Sequence, residues 1–137
     1  AMSPPLIKAV KAEAHDPSEW LIILDSPPGT SCPVIATVND ADYTLLVTEP
    51  TPFGLYDLKL AVGMLRKLER SFGVIVNRSD LGNEDVEKWC SQENIAIHMK
   101  IPFDRRIAEG YAAGEPLILT RPDLLSSFES LLEELVQ

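Results

Sequence analysis

The chain has 137 residues, 45% of them apolar, which is enough for one domain with a substantial hydrophobic core. Its formal net charge is −9 and it has no basic run, so the composition argues against nucleic acid or an anionic membrane as a direct partner. With only two cysteines, no signal peptide and no run of about 18 apolar residues, the sequence predicts a cytoplasmic protein in a reducing compartment.

Strand and helix signals alternate along the chain. Apolar runs bounded by turn residues predict strands at 21–25, 43–48, 73–77 and 95–101. Start and stop signals predict helices from Ser3-Pro4, from Thr51-Pro52, after Asn83, from Asp104 to Gly114, and from about Asp123. This alternation predicts an α/β fold with a parallel, doubly wound sheet of about four strands and five helices. No linker divides the chain, so residues 3–137 are expected to form a single domain, with Ala1 as a cloning scar.

In a sheet of this type, the loops that leave the carboxyl ends of the strands form the ligand crevice. Four such loops are rich in proline, glycine, asparagine or aspartate: residues 25–33, 48–57, 77–80 and 101–106. Because proline fixes φ, the loops that contain it are expected to be rigid and pre-shaped. The phosphate loop G-x-x-x-x-G-K-[ST], the usual companion of a strand that ends on an aspartate such as Asp25, occurs nowhere in the 137 residues.

Taken together, residues 25–36, 47–59 and 101–108 resemble the MinD/ParA-like P-loop ATPases. Within this family, the chain resembles the subgroup whose full-length members carry an inserted ferredoxin-like pair of [4Fe–4S] clusters. That subgroup is often described as related to cobyrinic acid a,c-diamide synthase. The resemblance covers nearly all of residues 6–117 and implies the C-terminal part of a Rossmann-like, three-layer nucleotide-binding domain. The phosphate loop and the cysteine-rich insert of that family are expected upstream of Ser3.

The resemblance also implies roles for residues in the first loop. Asp25 would be the Walker B carboxylate, both catalytic and holding Mg²⁺ through a bound water, because Mg²⁺ keeps most of its octahedral waters. Gly29 would place its N–H on the γ-phosphate, within a switch loop formed by Pro27, Pro28, Gly29 and Thr30. The alternative for Gly29 is an ordinary turn glycine.

The later loops would contact the adenine base. Asn77 resembles the residue whose side-chain amide pairs with the adenine edge, and Pro102, Phe103 and Asp104 resemble the loop that closes over the base. For Asn77 the alternative is an asparagine tolerant of turn geometry, and for Asp104 it is a helix N-cap. For the nearby arginines, Arg78, Arg105 and Arg106, surface salt bridges are expected, and contact with phosphate or ribose is the alternative.

Three functions compete for this sequence. The favoured one is the C-terminal portion of a MinD-like ATP-binding switch ATPase linked to iron–sulfur or redox maturation, with Mg-ATP in the intact protein and no cluster ligands in this chain. The others are an ATP-dependent amidoligase of the cobyrinate type and a non-enzymatic remnant that only binds a partner. The chain alone is expected not to hydrolyse ATP. Its expected partners are the missing N-terminal half, an iron–sulfur or redox client, and a second copy. A homodimer is expected because strands 21–25 and 43–48 lack their shared neighbour, and the alternative is that these two strands close on each other.

Overall fold

The computed structural model of the protein describes residues 4–14 and 21–136, and these divide into two units. The first unit contains the chain up to Thr44 together with Asp57–Phe72, and the second contains Leu45–Tyr56 together with the chain from Gly73 onward. Each unit is described by itself. The expectation of a single domain over residues 3–137 stays a prediction.

The first unit is helical. It contains α1 (Pro4–Ala14), α2 (Cys32–Val38) and the larger part of α3 (Pro52–Lys67). Helices α1 and α2 are joined by Lys11, whose ammonium donates to the carbonyl oxygens of Ala36 at 3.3 Å and Thr37 at 3.2 Å. The same ammonium bonds the Asp40 carboxylate at 3.0 Å. A cation placed on the last carbonyls of a helix interacts favourably with the helix dipole, so Lys11 stabilises the end of α2.

Residues 21–25 do not form the predicted strand, because the described backbone from 21 to 27 has no regular secondary structure. Their apolar side chains are partly or largely exposed, and Ile23 reaches 84% exposure. An apolar run becomes a strand only beside a hydrogen-bonded neighbour, and the neighbour that the resemblance implies for 21–25 is the phosphate-loop strand, which this sequence does not contain. The described sheet therefore has three strands.

Helix α2 was not predicted, because its sequence is rich in β-branched residues and follows a proline-rich loop. Its start nevertheless carries a recognisable signal: Ser31 occupies the N-cap position and Pro33 lies in the first turn. Cys32 is exposed at the first position of this helix.

The second unit holds the sheet and most of the remaining helices. The sheet has strand order β1-β2-β3, and its strands are β1 (Thr44–Thr48), β2 (Phe72–Asn77) and β3 (Ile97–Ile101). Strands β2 and β3 are parallel, with Val74 opposite Ile97 and Asn77 opposite Ile101. The helices of this unit are α4 (Asp85–Gln92), α5 (Arg105–Ala112), α6 (Leu117–Thr120), a 3₁₀ turn (Pro122–Leu124) and α7 (Leu125–Val136).

A hydrophobic core covers one face of this sheet. Ile75 of β2 and Met99 of β3 pack with Leu124 and Leu131 from the C-terminal helices. Partly buried side chains extend this cluster, and they are Leu45, Ile101, Leu117, Phe128 and Leu135. Val74 and Val76, which alternate with Ile75 along β2, are also buried. Both faces of β2 are therefore covered, as the absence of polar alternation predicts.

The helix boundaries follow the predicted capping residues. The Thr51 hydroxyl accepts from the Gly54 N–H at 2.9 Å at the start of α3, and the Asn83 side chain accepts from the Asp85 N–H at 3.1 Å at the start of α4. Asp104 accepts from the Arg106 N–H at 2.9 Å, and Gly114 follows α5 with φ +79°. Among the described residues, no helix combines the length and the apolar character needed to span a bilayer.

Candidate functional site

Three loops at the carboxyl ends of the strands lie together in the second unit. We call them the three-loop edge, defined as residues 49–51 after β1, 78–83 after β2 and 102–104 after β3. The second and third loops are joined by two hydrogen bonds. The Ser79 N–H donates to the Ile101 carbonyl at 3.0 Å, and the Phe103 N–H donates to an Asp80 carboxylate oxygen at 2.5 Å. The loop after β3 is therefore positioned by the loop after β2.

The first and second loops of this edge are also in direct contact. The Asn83 N–H donates to the Pro50 carbonyl at 3.4 Å, and the Arg78 guanidinium lies 3.5 Å from the Glu49 carboxylate. Gly82 lies so close to Pro50 that a Cβ at this position would clash with the proline carbonyl. Only glycine allows this approach of the two backbones. Hydrogen bonds and an ion pair therefore connect all three loops.

Asn77 borders the three-loop edge, and Phe103 lies within it. Asn77 is the last residue of β2 and is half-buried, opposite Ile101 of β3. Within the described residues its side-chain amide takes part in no hydrogen bond, so both its donor and its acceptor are open to a ligand. Phe103 is 45% exposed, and Pro102 before it is half-buried. An amide and an exposed aromatic ring at one edge suit a planar heterocycle with hydrogen-bonding edges.

Asp104 belongs to an ion-pair network. Its carboxylate bonds the Arg106 guanidinium at 2.6 Å and the Arg121 guanidinium at 3.0 Å, in addition to capping α5. Hydrogen bonds from the side chain and backbone of Arg106, and from Arg121, hold the pKa of Asp104 well below its usual range. Arg121 is in turn bonded by Asp123 at 2.6 Å, which raises the pKa of the guanidinium. Asp104 thus ties the loop after β3 to the chain before α7.

The predicted salt bridges of the loop arginines are confirmed. Arg78 pairs with Glu49, Arg106 with Asp104, and Arg105 with Glu109 at 2.8 Å. Two further residues that hold the three-loop edge in place, Asp80 and Arg121, were not predicted from the sequence. Both act on residues far along the chain, 23 positions away for Asp80 and 17 for Arg121, so no local pattern indicates them.

The predicted switch loop lies in the first unit. Asp25 is exposed, Pro27 is half-buried, and Pro28, Gly29 and Thr30 are exposed. Gly29 has φ +94°, in the left-handed region that favours glycine. The predicted site residues therefore divide into two sets, with Asp25 and the switch loop in one unit and Asn77 with residues 102–104 in the other.

The donor groups can be compared with the metals that the resemblance implies. A [4Fe–4S] cluster takes four thiolates, whereas this chain has two cysteines, Cys32 exposed and Cys90 buried. Desolvation raises the pKa of the Cys90 thiol, which disfavours its thiolate form. Among the described residues, no group of three or more His, Cys, Asp or Glu side chains is placed to hold a metal ion. The exposed Asp25 carboxylate suits the single, water-mediated contact that Mg²⁺ accepts.

A solved structure defines the class of fold. The MinD cell division protein of Aquifex aeolicus matches this chain with a TM-score of 0.66 and 24% sequence identity, over 85% of this chain and 51% of the MinD chain. The predicted α/β fold with a parallel sheet is thereby confirmed as a MinD-like fold.

Comparison by sequence finds several similar proteins. An iron–sulfur cluster carrier protein of Aquifex aeolicus is 30% identical to this chain, over 98% of this chain and 42% of the carrier protein. An iron–sulfur cluster carrier protein of Pyrococcus horikoshii is 29% identical, over 97% of this chain and 52% of the carrier protein. An uncharacterized protein of Methanocaldococcus jannaschii is 36% identical over 70% of this chain and 32% of its own length. No protein-family model matches. The chain is thus similar in sequence to iron–sulfur cluster carrier proteins, and it spans from about a third to a half of the length of the three proteins it matches here.

Proposed function

We propose that this chain is the C-terminal portion of a MinD-like ATP-binding switch ATPase that acts in iron–sulfur or redox maturation. The observation that carries the nucleotide-binding part is the three-loop edge, where cross-linked loops hold an open amide at Asn77 and an exposed ring at Phe103. The link to iron–sulfur maturation rests on the carrier proteins of Aquifex aeolicus and Pyrococcus horikoshii, which align with almost the whole chain.

In this proposal the loops after β2 and β3 recognise the base. The Asn77 amide pairs with the adenine edge, and Pro102 and Phe103 lie over the ring. Asp104 acts through the loop rather than on the base, because Arg106 and Arg121 already occupy its carboxylate oxygens. Recognition of this kind needs a pre-shaped edge, since a loop that must first be ordered loses part of its binding energy.

The switch-loop residues are proposed to act on the phosphate groups. Asp25 holds a water of the Mg²⁺ shell, and Gly29 turns the loop so that its N–H reaches the γ-phosphate. Pro27, Pro28 and Thr30 complete a switch loop that distinguishes triphosphate from diphosphate. The 137 residues contain no phosphate loop, so this chain by itself lacks the charge-assisted bonds that hold the β- and γ-phosphates.

The proposal is tested by joining this chain, at its N-terminal end, to a segment that carries a phosphate loop G-x-x-x-x-G-K-[ST]. We expect the joined protein to hydrolyse ATP and Asp25→Asn to reduce its turnover about a hundredfold or more, because the developing phosphoryl charge loses its metal support. Asp42→Asn, a change at another exposed aspartate of the same unit, is the matched control.

Two outcomes would count against the assignment. If Asp25→Asn lowered turnover no more than Asp42→Asn, Asp25 would be an ordinary surface acid. If the joined protein folded but neither bound nor hydrolysed ATP, the non-enzymatic alternative would be favoured.

A further inference from the structure

The Asp80 carboxylate has one oxygen held by the protein and one that is open. Asp80 is an exposed residue of the loop after β2, three positions after Asn77. Its Oδ1 accepts from the Phe103 N–H at 2.5 Å. Within the described residues, its Oδ2 takes part in no hydrogen bond or ion pair. A carboxylate oxygen with no partner in the chain is available to accept an N–H of a ligand.

The backbone brings this carboxylate close to the other groups of the three-loop edge. The carboxylate is bonded to the N–H of Phe103 itself, and the Phe103 side chain leaves the Cα that carries this nitrogen. Asn77 lies opposite Ile101, and the Ser79 N–H donates to the Ile101 carbonyl at 3.0 Å. The open amide, the open carboxylate oxygen and the exposed ring therefore lie at the same part of the edge.

Adenine offers a matching set of hydrogen-bonding groups. Its exocyclic amino group carries two N–H donors, and the adjacent nitrogen of the five-membered ring is an acceptor. An asparagine amide pairs with that ring nitrogen and with one amino N–H, which leaves the second amino N–H without a partner. The second N–H needs a group that only accepts, and a carboxylate oxygen is such a group.

Guanine fits the same arrangement less well. Where adenine carries its amino group, guanine carries a carbonyl oxygen, which is an acceptor and is repelled by a carboxylate oxygen. Guanine also has two neighbouring N–H donors, but a carboxylate that accepts both of them uses both of its oxygens. The Phe103 N–H already occupies one oxygen of Asp80. The arrangement therefore favours adenine.

We propose that Asp80 is a specificity-determining residue, which selects adenine through the open oxygen of its carboxylate. The Asn77 amide pairs with one amino N–H and with the ring nitrogen, Asp80 accepts the other amino N–H, and the purine ring lies against Phe103. Asp80 thus has two tasks, since its other oxygen positions the Phe103 loop. This inference rests on the proposed function, because it names the group that distinguishes adenine from other purines at the same site.

The probes are adenosine and inosine. They share the ribose, but the base of inosine carries a carbonyl where adenine carries the amino group, together with a proton on the neighbouring ring nitrogen. Each nucleoside is titrated into the full 137-residue chain, and binding is followed by backbone NMR at residues 77–83 and 102–104. We expect adenosine to bind about tenfold more tightly than inosine, because a site built to accept an N–H rejects an analogue that lacks it.

Asp80→Asn replaces the open oxygen by an amide group. The remaining oxygen can still accept the Phe103 N–H, whereas the new NH₂ group donates where the carboxylate accepted. We expect this variant to bind adenosine about tenfold more weakly and inosine at least as tightly as before, so that the preference is lost or reversed. Asp85→Asn removes the same charge from another exposed aspartate of the same unit, and it is expected to keep the preference.

Two results overturn the inference alone. In the first, adenosine shifts the three-loop edge but binds no more tightly than inosine. In the second, Asp80→Asn weakens both nucleosides equally, which would leave Asp80 only as a positioning residue for Phe103. If neither nucleoside shifts residues 77–83 and 102–104, the base site is absent, and the inference fails together with the nucleotide part of the proposed function. The two kinds of failure are therefore distinguishable.

Discussion

Replacing either of two glycines in helix α3 by alanine is expected to change the free energy of unfolding, and the two changes are expected to have opposite signs. Gly54 and Gly63 belong to the same helix, but a Cβ at Gly54 would clash with the Glu49 carbonyl and come within 3.0 Å of the Thr48 hydroxyl, whereas a Cβ at Gly63 would meet nothing within 4 Å. Replacing glycine by alanine lowers the entropy of the unfolded chain equally at both positions. The difference between the two variants therefore reports the surroundings of each glycine in the folded state.

The expected magnitudes follow from these surroundings. Gly63→Ala is expected to raise the free energy of unfolding by about 0.5–1 kcal/mol, the ordinary gain of alanine over glycine inside a helix. For Gly54→Ala, the stabilisation by alanine is at most the same. The new Cβ would also displace the Glu49 backbone, and this costs about 1–3 kcal/mol. The net effect at Gly54 is a destabilisation on the order of 1–2 kcal/mol.

Urea denaturation followed by circular dichroism measures both variants against the unaltered chain. The midpoint is expected to rise for Gly63→Ala and to fall for Gly54→Ala, with the same dependence on urea concentration. If both midpoints moved in the same direction, the described packing of the loop after β1 on Gly54, or the open face at Gly63, would be wrong.

Three further predictions concern the chain in solution. Calorimetry with Mg-ATP is expected to show no saturation below about 1 mM, because three or four missing charge-assisted bonds remove about 6 kcal/mol, and a micromolar constant would contradict this. The pKa values of Asp40, Asp104 and Asp123 are lowered in the folded state, so their stabilisation is complete above about pH 4 and is lost as the pH falls further. Asp104→Asn should therefore flatten the fall in melting temperature below pH 4, and an unchanged slope would exclude this role. Light scattering at micromolar concentration is expected to give the mass of a homodimer, and a monomer would refute the expectation from unpaired strand edges.

Local signals predicted the features that depend on few residues. The capping roles of Thr51, Asn83 and Asp104 were visible because each acceptor bonds an N–H two or three residues further on. The burial of β2 was predicted by its unbroken apolar run, since a strand covered on both faces needs no polar alternation. In these cases the physical cause lies within the same stretch of sequence as the element.

The wrong prediction at 21–25 has the opposite origin. Residues 21–24 are as apolar as β2. A strand, however, must pair with a neighbouring strand, and the β-propensity of one segment does not indicate whether that neighbour is present. The arrangement of the three-loop edge was likewise only partly visible, because Asp80 acts on Phe103 and Arg121 acts on Asp104 across long separations in the chain. The roles of Asp25, Gly29, Asn77 and residues 102–104 toward a nucleotide stay predictions.

A nucleotide switch makes opposite demands on its parts. The part that recognises the base must keep one conformation, whereas the part that senses the γ-phosphate must have two conformations of similar free energy. In the second unit, hydrogen bonds from Ser79, Phe103 and Asn83 join the loops into one edge, which suits the first demand. In the first unit, residues 28–32 are exposed; proline fixes φ only at its own position, and Gly29 with φ +94° can change conformation without a steric penalty, which suits the second demand. The proposed division of labour thus follows from how strongly each segment is fixed by its own neighbours, and substitutions that weaken the three-loop edge should impair nucleotide affinity before they impair switching.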